Sequence, residues 1–404
     1  MHPSKFIKLY LICLACFGIW VYAYPQVDLS IALNAIPINI MNKKPHSKEV
    51  NTNFKAVKNS KVLNILLWPN AQFPFNKVLH EKSAFYQTDC PVKNCFITSL
   101  NATKGTSPNV IKKEYIFKSF DVIAHMGENL SNLSIPSYIK SYYYGIHVYF
   151  NMNSSPNCEV QDKTFDNYFH RTATYRLDSD IPVPHLLVRD TDGNQIGPKI
   201  NMVWTPEEEV NDNITAGIIR GKYRAAAIID SKCDTLSSRG ELIAELHKEL
   251  HKFGYKVDVY GKCGQRKCSH DCNERLGMNY YFYLSYEDSL DKDYVTDQLL
   301  IPLQNNMVPI VYGGANYNMF LPPGSYLDAS KMTANQLSKT MARLIASPKK
   351  YLQFFWWKKY YTYHDPTLNE NICNFCAYLH RNDVKELSET YKSFRKWWNI
   401  YGYD

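Results

Sequence analysis

The stretch "YRAAAIIDSKCDTLSSRGELIAELHKELHKFGYKVDVYG", residues 223–261, decides the fold. Its first eight residues form a short apolar run of the kind that makes a buried strand. "SSRGELIAELHKELHKFG" (237–254) then places Leu242, Ile243, Leu246, Leu250 and Phe253 on one helical face. Ser238 and Glu241 have the spacing of a capping box, and Gly254 supplies a stop. "KVDVYG" (256–261) is the next strand. The aromatic run 280–286, a helix predicted from about Asp293 to Asn306, and "VPIVYGG" (308–314) continue the alternation. Strands that alternate with helices imply a parallel sheet covered on both faces.

Further upstream, "KVLNILLW" (61–68), "YIFKSFDVIAHM" (115–126) and "YYYGIHVYFNM" (142–152) read as strands of another sheet. The polar, turn-rich segment 189–215 reads as the junction between two domains. A chain of 404 residues has room for two.

In an open α/β sheet the ligand crevice lies beyond the carboxyl ends of the strands. Two predicted helix N-termini point there, one carrying Ser238 and Arg239, the other starting near Asp293. Free N–H groups and the helix dipole favour an anion at such a point, and Arg239 adds a forked cation. A solvated first-turn arginine is the competing reading of Arg239. The chain has no GxGxxG and no Walker A loop, which argues against a dinucleotide or ATP site of the usual kind. The net charge of +8 is spread along the chain rather than gathered in a tail, so no nucleic-acid partner is expected.

Five acidic residues, Glu287, Asp288, Asp291, Asp293 and Asp297, crowd the turn after the aromatic strand, with Lys292 among them. For Asp291 and Lys292 a solvated loop face is the preferred reading. "DSD" at 178–180 reads as structural, paired with Arg176 or capping a turn; a divalent-metal pair is the minority alternative.

The first residues supply targeting. Lys5 and Lys8 precede the uncharged "LYLICLACFGIWVYAY" (9–24), long enough to approach a bilayer span. An uncleaved signal anchor is expected, with a cleaved signal peptide as the alternative. Residues 1–8 would be a cytoplasmic tail and 25–60 a stem. Eleven cysteines, nine of them downstream of the apolar segment, include a CxxC at 373–376. That pair reads as half a zinc site or a short-loop disulfide. With no partner motif at zinc-like spacing, disulfides Cys90–Cys95 and Cys373–Cys376 are expected, the pairing of Cys158, Cys233, Cys263, Cys268 and Cys272 staying open. An odd count of nine leaves at least one thiol over. Sequons at Asn101, Asn129, Asn132, Asn153 and Asn213 fit a secretory route.

Taken in order, several motifs resemble the α1,3-fucosyltransferases, Golgi enzymes that move fucose from GDP-fucose to N-acetylglucosamine-containing glycans. They are "TATYRLDSDIPVP" (172–184), "VDVYGKCG" (257–264), "YFYLSYEDSLDKDYVTDQL" (281–299), "VPIVYGG" (308–314), "FLPPGSYLDA" (320–329) and "CNFCAYLH" (373–380). The third stands where the family reads close to YKFYLxFENSxxxDYxTEKL. The resemblance covers residues 61 to 380 and implies a GT-B-type α/β fold of two facing Rossmann-like domains. These would be an acceptor-side domain at 61–200 and a GDP-fucose-binding domain at 201–380, with a tail or helix at 381–404. It also implies a single-pass type II Golgi protein with a luminal catalytic region, whose partners are GDP-fucose, a glycoprotein glycan and the membrane. No divalent metal is required, and homodimerisation stays open.

By the same resemblance Arg239 contacts the diphosphate, Glu287 and Ser289 match the ENS motif, and Tyr294 and Asp297 contact the donor. Three departures bear on catalysis. Gln298 stands where the family has a diphosphate-binding lysine, and Asp288 stands for asparagine. In "YFNMNSSPNC" (149–158) Asn153 stands where "FNMESPSN" carries the glutamate base. Asparagine is no general base. Glu159 and Glu128 are the candidate substitutes nearby in sequence. The alternative function is a catalytically degenerate homologue that binds glycans or transferase partners without turnover.

Overall fold

The computed structural model describes residues 61–68, 90, 92–99, 118–132, 145–209, 217, 219–366, 368–381, 384 and 389–399. The expected anchor at 9–24, the stem, and the sequons Asn101 and Asn213 lie outside them, as do the side chains of Asn129 and Asn132. No described helix is long and apolar enough to cross a membrane.

The chain divides into two compact units, one within Met1–Val148 plus Cys376–Leu387, the other within Tyr149–Phe375 plus Ser388–Asp404. In the first, β1 (Leu63–Trp68) pairs in parallel with β2 (Cys95–Ser99) and with β3 (Val122–Met126). All three strands are buried along their whole length, as expected of parallel strands covered on both faces. The next strand, β4 (Ile146–Asn151), begins in this unit and enters the second.

In the second unit short strands come first: β5 (Arg171–Thr174), β6 (Ile181–Pro182), and the hairpin of β7 (Leu187–Arg189) with β8 (Gln195–Gly197). The five-stranded sheet follows, built from β9 (Arg224–Ile229), β10 (Val257–Tyr260), β11 (Tyr280–Tyr286), β12 (Val308–Tyr312) and β13 (Leu327–Asp328). Its order is β10–β9–β11–β12–β13, and every pair is parallel. All five carboxyl ends therefore lie on one side.

The helix predicted from 237–254 is α1 (Arg239–His251). The next helices are α2 (Cys272–Asn279), α3 (Leu300–Gln304) and α4 (Ala334–Ile345). Ile243, Leu246 and Leu250 of α1 pack with Leu337, Met341 and Leu344 of α4 against Ala226, Phe282 and Ile310. Each such side chain stabilises by about 1.5–3 kcal/mol on burial. The alanines of β9 leave room for both helices. Phe253 departs from the predicted face: it follows the helix and is 41% exposed. The capping box does not form either. Ser238 has φ +51°, a left-handed turn that carries its hydroxyl away from the N3 amide, and its side chain caps nothing.

The helix expected from Asp293 is the larger correction. Asp293 has φ +58°, and regular helix runs only over Leu300–Gln304, after a single 3₁₀ turn at Asp297–Leu299. The Lys292 amide goes to the Asp291 carboxylate and the Thr296 amide to Glu287, while Asp291 and Asp293 reach out to the Ser155 and Leu177 amides, so this segment is a tight loop.

The cysteine pairing also differs from expectation. Cys95 on β2 bonds Cys376 on α5 (Leu368–Leu379), 281 residues away, so neither local loop forms. Cys90 and Cys373 are disulfide-bonded as well. A three-residue spacing within a helix fixes both sulfurs on one turn, and there the sheet edge supplies the partner. Cys233–Cys263 and Cys268–Cys272 close the loops at the β10 edge.

Candidate active site

The carboxyl ends of β9 and β11 carry the residues singled out in the sequence, but in roles the sequence did not show. Arg239 opens α1 almost fully buried. Its Nη2 lies 2.6 Å and its Nε 3.2 Å from the two oxygens of Asp230, and Nη1 donates to the Tyr286 carbonyl at 2.8 Å. The fork thus ties the ends of β9 and β11 to the helix and is largely spent within the protein.

An exposed cation of the crevice is Lys232, which sequence reasoning missed. Its Nζ reaches Asp288 at 2.6 Å and Asn157 at 3.3 Å, with the side chain half exposed. Asp288 therefore adds a paired charge, not a bare one. Gln298 accepts from the Tyr283 hydroxyl at 2.6 Å, and its amide N–H₂ has no hydrogen-bond partner among the described residues.

Glu287 is buried at the end of β11, where its Oε1 accepts from the Thr296 amide at 2.9 Å. Burial pushes its carboxyl up to about 8. Around it Ser285, Ser289 and Tyr317 have buried hydroxyls without a hydrogen-bond partner among the described residues. Such orphans are uncommon in folded proteins and suit a ligand-facing floor. The backbone is crowded at the same place. A Cβ on Gly314 would stand 2.6 Å from the Asp291 amide nitrogen, and one on Gly313 would stand 2.4 Å from the Tyr317 hydroxyl.

Asp291 is not a solvated loop residue; it is 1% exposed. It accepts from the Tyr175 hydroxyl, from the Ser155 amide at 2.6 Å and from the Lys292 amide at 2.7 Å. This one carboxylate pins the loop after β4 to the loop after β11. Lys292 is exposed and reaches Asp178 at 2.7 Å. Asp178 also takes the Arg176 fork at 2.8 and 2.9 Å. Burial works against ionisation of Asp178, but those two cations hold its pKa below the ordinary value. Asp180 accepts from Thr172 and Tyr391.

Tyr294 is buried, its ring 5.0 Å from Tyr175 and 6.0 Å from His185. His185 is the second residue that sequence reasoning passed over. Its Nε2 lies 3.0 Å from the Met152 carbonyl oxygen, which can only accept, so Nε2 carries the proton and Nδ1 keeps a lone pair. Burial lowers its pKa, while the nearby Asp297 carboxylate and the Met152 bond act the other way. Asp297 itself is exposed. Asn153, next to Met152, has its amide on the Asn151 side chain at 2.9 Å. Glu159 is half-buried beside Gln161, and Glu128 lies at the surface of the first unit, where partial loss of solvent around its carboxyl raises its pKa. The signal for His185 was its place directly after "DSDIPVP", the end of one of the motifs.

An open parallel α/β sheet with a polar crevice at its carboxyl edge is the framework of many group-transfer enzymes. Residues 60–186 match the family model "Fucosyltransferase, N-terminal", and residues 219–397 match "Glycosyltransferase family 10 (fucosyltransferase) C-term". The chain belongs to glycosyltransferase family 10, the fucosyltransferases. It is 32% identical over 319 residues to Alpha-(1,3)-fucosyltransferase C of Drosophila melanogaster, covering 76% of this chain and 70% of that protein. It is 26% identical over 373 residues to Glycoprotein 3-alpha-L-fucosyltransferase A of Drosophila melanogaster, covering 89% and 64%. A crystal structure of an alpha1,3-fucosyltransferase superposes with a TM-score of 0.48 at 16% identity, over 84% of this chain and 96% of that one.

Proposed function

We propose that the protein transfers fucose from GDP-fucose to an N-acetylglucosamine-containing glycan of a glycoprotein, with inversion, forming an α1,3 linkage. The observation that carries this reading is the seat of His185. It bonds the backbone next to Asn153, the family's base position, and packs on Tyr294 of the donor motif. The acceptor hydroxyl attacks fucose C1 while its proton passes to Nδ1 of His185. The bond from C1 to the diphosphate oxygen breaks, and GDP leaves with the electron pair.

Lys232 swings from Asp288 to the diphosphate and supplies the positive charge absent at position 298, with the Gln298 amide donating beside it. Arg239 acts from behind by holding the ends of β9 and β11. Glu287, neutral below about pH 8, offers a carboxylic proton to the donor together with Ser289 and Tyr317. Asp297 supports the sugar hydroxyls. The reaction as written draws on no divalent metal, and the partners of Asp178 and Asp180 support that reading of the DSD segment.

The proposal includes a GT-B arrangement of two facing domains, 61–200 on the acceptor side and 201–380 on the donor side. It also includes the anchor at 9–24, the stem to residue 60, and a luminal Golgi location. Cys95–Cys376 supports an oxidising compartment.

The test is a GDP-release assay with N-acetyllactosamine-type and chitobiose-core acceptors. His185→Gln should lower kcat by 10²–10⁴-fold with GDP affinity nearly unchanged. The acid limb of kcat/KM should lie below pH 6.5, because the histidine's pKa is lowered and only its neutral form accepts a proton. A second reading, binding without turnover, is favoured by the commitment of Arg239 to Asp230. Tight GDP binding with no release on any acceptor would establish it.

A further inference from the structure

A second built site lies on the β10 edge of the five-stranded sheet, away from the carboxyl-end crevice. It is a cavity of ≈ 270 Å³ whose lining includes Arg224, Arg266 and Arg275 with Tyr223, Tyr260 and Tyr280. One buried carboxylate organises it. Asp258 accepts from Arg224 at 2.8 Å, from Arg266 at 3.1 Å and from the Tyr280 hydroxyl at 2.6 Å, and Lys256 stands 4.0 Å away. Arg275 pairs with the exposed Asp271 at 3.4 Å. Against these four cations stand two carboxylates, so an incoming anion meets two uncompensated positive charges.

Arg224 gives Nη1 to Asp258 and Tyr280 and Arg275 gives Nη2 to Ser269 and Asp271, so the available donors are those of Arg266 above all. Only Nε of Arg266 is engaged, and its two terminal nitrogens have no hydrogen-bond partner among the described residues. The loop that carries Arg266 is preorganised. It bridges to Tyr260, and the disulfides Cys233–Cys263 and Cys268–Cys272 flank it. The rim is aromatic and wet: Tyr223 is 63% exposed, with the Arg224 guanidinium 5.2 Å from its ring centre. Arginine forks match carboxylate and sulfate oxygens, and a tyrosine face receives the apolar face of a sugar ring. The volume is below the roughly 300–1,000 Å³ of pockets for drug-sized ligands, which suits a single sugar-sized group.

We propose that this cavity binds one acidic sugar unit, carboxylated or sulfated, of a glycan chain. The choice of a glycan over other anions rests on the fucosyltransferase reading. The test is binding of sialylated, sulfated and neutral N-acetyllactosamine, and of free sodium sulfate, to the full-length chain and to its Arg266→Ala and Tyr223→Ala variants. The acidic glycans should bind at least tenfold more tightly than the neutral one, and added salt should weaken them. Arg266→Ala should remove about tenfold of that affinity and leave GDP binding unchanged. Tyr223→Ala should weaken every glycan and leave free sulfate as it was.

Equal binding of acidic and neutral glycans overturns the proposal, as does Arg266→Ala that binds like the parent. Free sulfate as tight as the sulfated glycan marks an inorganic-anion site and overturns it too. Absence of GDP release with this binding pattern intact strikes the catalytic reading alone.

Discussion

Arg239 and Arg266 both bond an aspartate at the second unit's main sheet, and they lead opposite lives. Arg239 is buried against Asp230, with three of its nitrogens engaged by Asp230 and the Tyr286 carbonyl. Arg266 gives a single nitrogen to Asp258 and keeps the rest of its fork toward solvent. The first arginine is a fastener at the crevice; the second is a ligand group held by a fastener. An arginine in a motif is therefore not by itself a phosphate contact. The number of its donors consumed inside the protein decides whether charge is left for a ligand.

The sharpest break of this comparison is stability. Arg239→Ala leaves Asp230 buried and unpaired and should cost about 3–5 kcal/mol, whereas Arg266→Ala should cost no more than about 1 kcal/mol. Urea unfolding of the two variants decides it; equal costs would erase the distinction.

Next comes the pH dependence of the crevice. Glu287 has a folded pKa of about 8, above its ordinary value of 4.5. The native state then holds a proton that the unfolded chain has lost, so stability falls as pH rises between those two values. Glu287→Gln, neutral throughout, should remove that slope, an effect on the order of a few kcal/mol across the window. Thermal melts of parent and variant from pH 5 to 8 measure it, and parallel curves would contradict the buried neutral acid.

The smallest effect concerns the exposed cation. Lys232→Ala should weaken GDP binding about tenfold, and Gln298→Lys should tighten it by a similar factor. Calorimetric titration with GDP tests both. Indifference to both changes would put the diphosphate somewhere other than the mouth of β9 and β11.

Much of the second unit is legible in the residue pattern. The strands 224–229, 257–260, 280–286 and 308–312 and the helix after Arg239 follow from apolar periodicity, which depends only on residues close in the chain. Local chemistry read without its surroundings is less dependable. A capping box at Ser238 and a helix from Asp293 are sound local patterns, yet both positions adopt positive φ. Asp291 resembles a solvent residue because a carboxylate is usually exposed. Its burial depends on Tyr175 and Ser155, more than a hundred residues earlier.

The sequence alone therefore determined the order and type of most second-unit elements, the parallel sheet, and the family to which the chain belongs. Only the tertiary structure decided which charges are spent and which are free. It paired Arg239 with Asp230, set Lys232 beside Asp288, joined Cys95 to Cys376, and seated His185 between the Met152 carbonyl and Tyr294. Periodicity is a property of a short segment, and the backbone enforces it within a few residues. Charge pairing, disulfide pairing and burial are properties of distance in space, set only when remote segments pack.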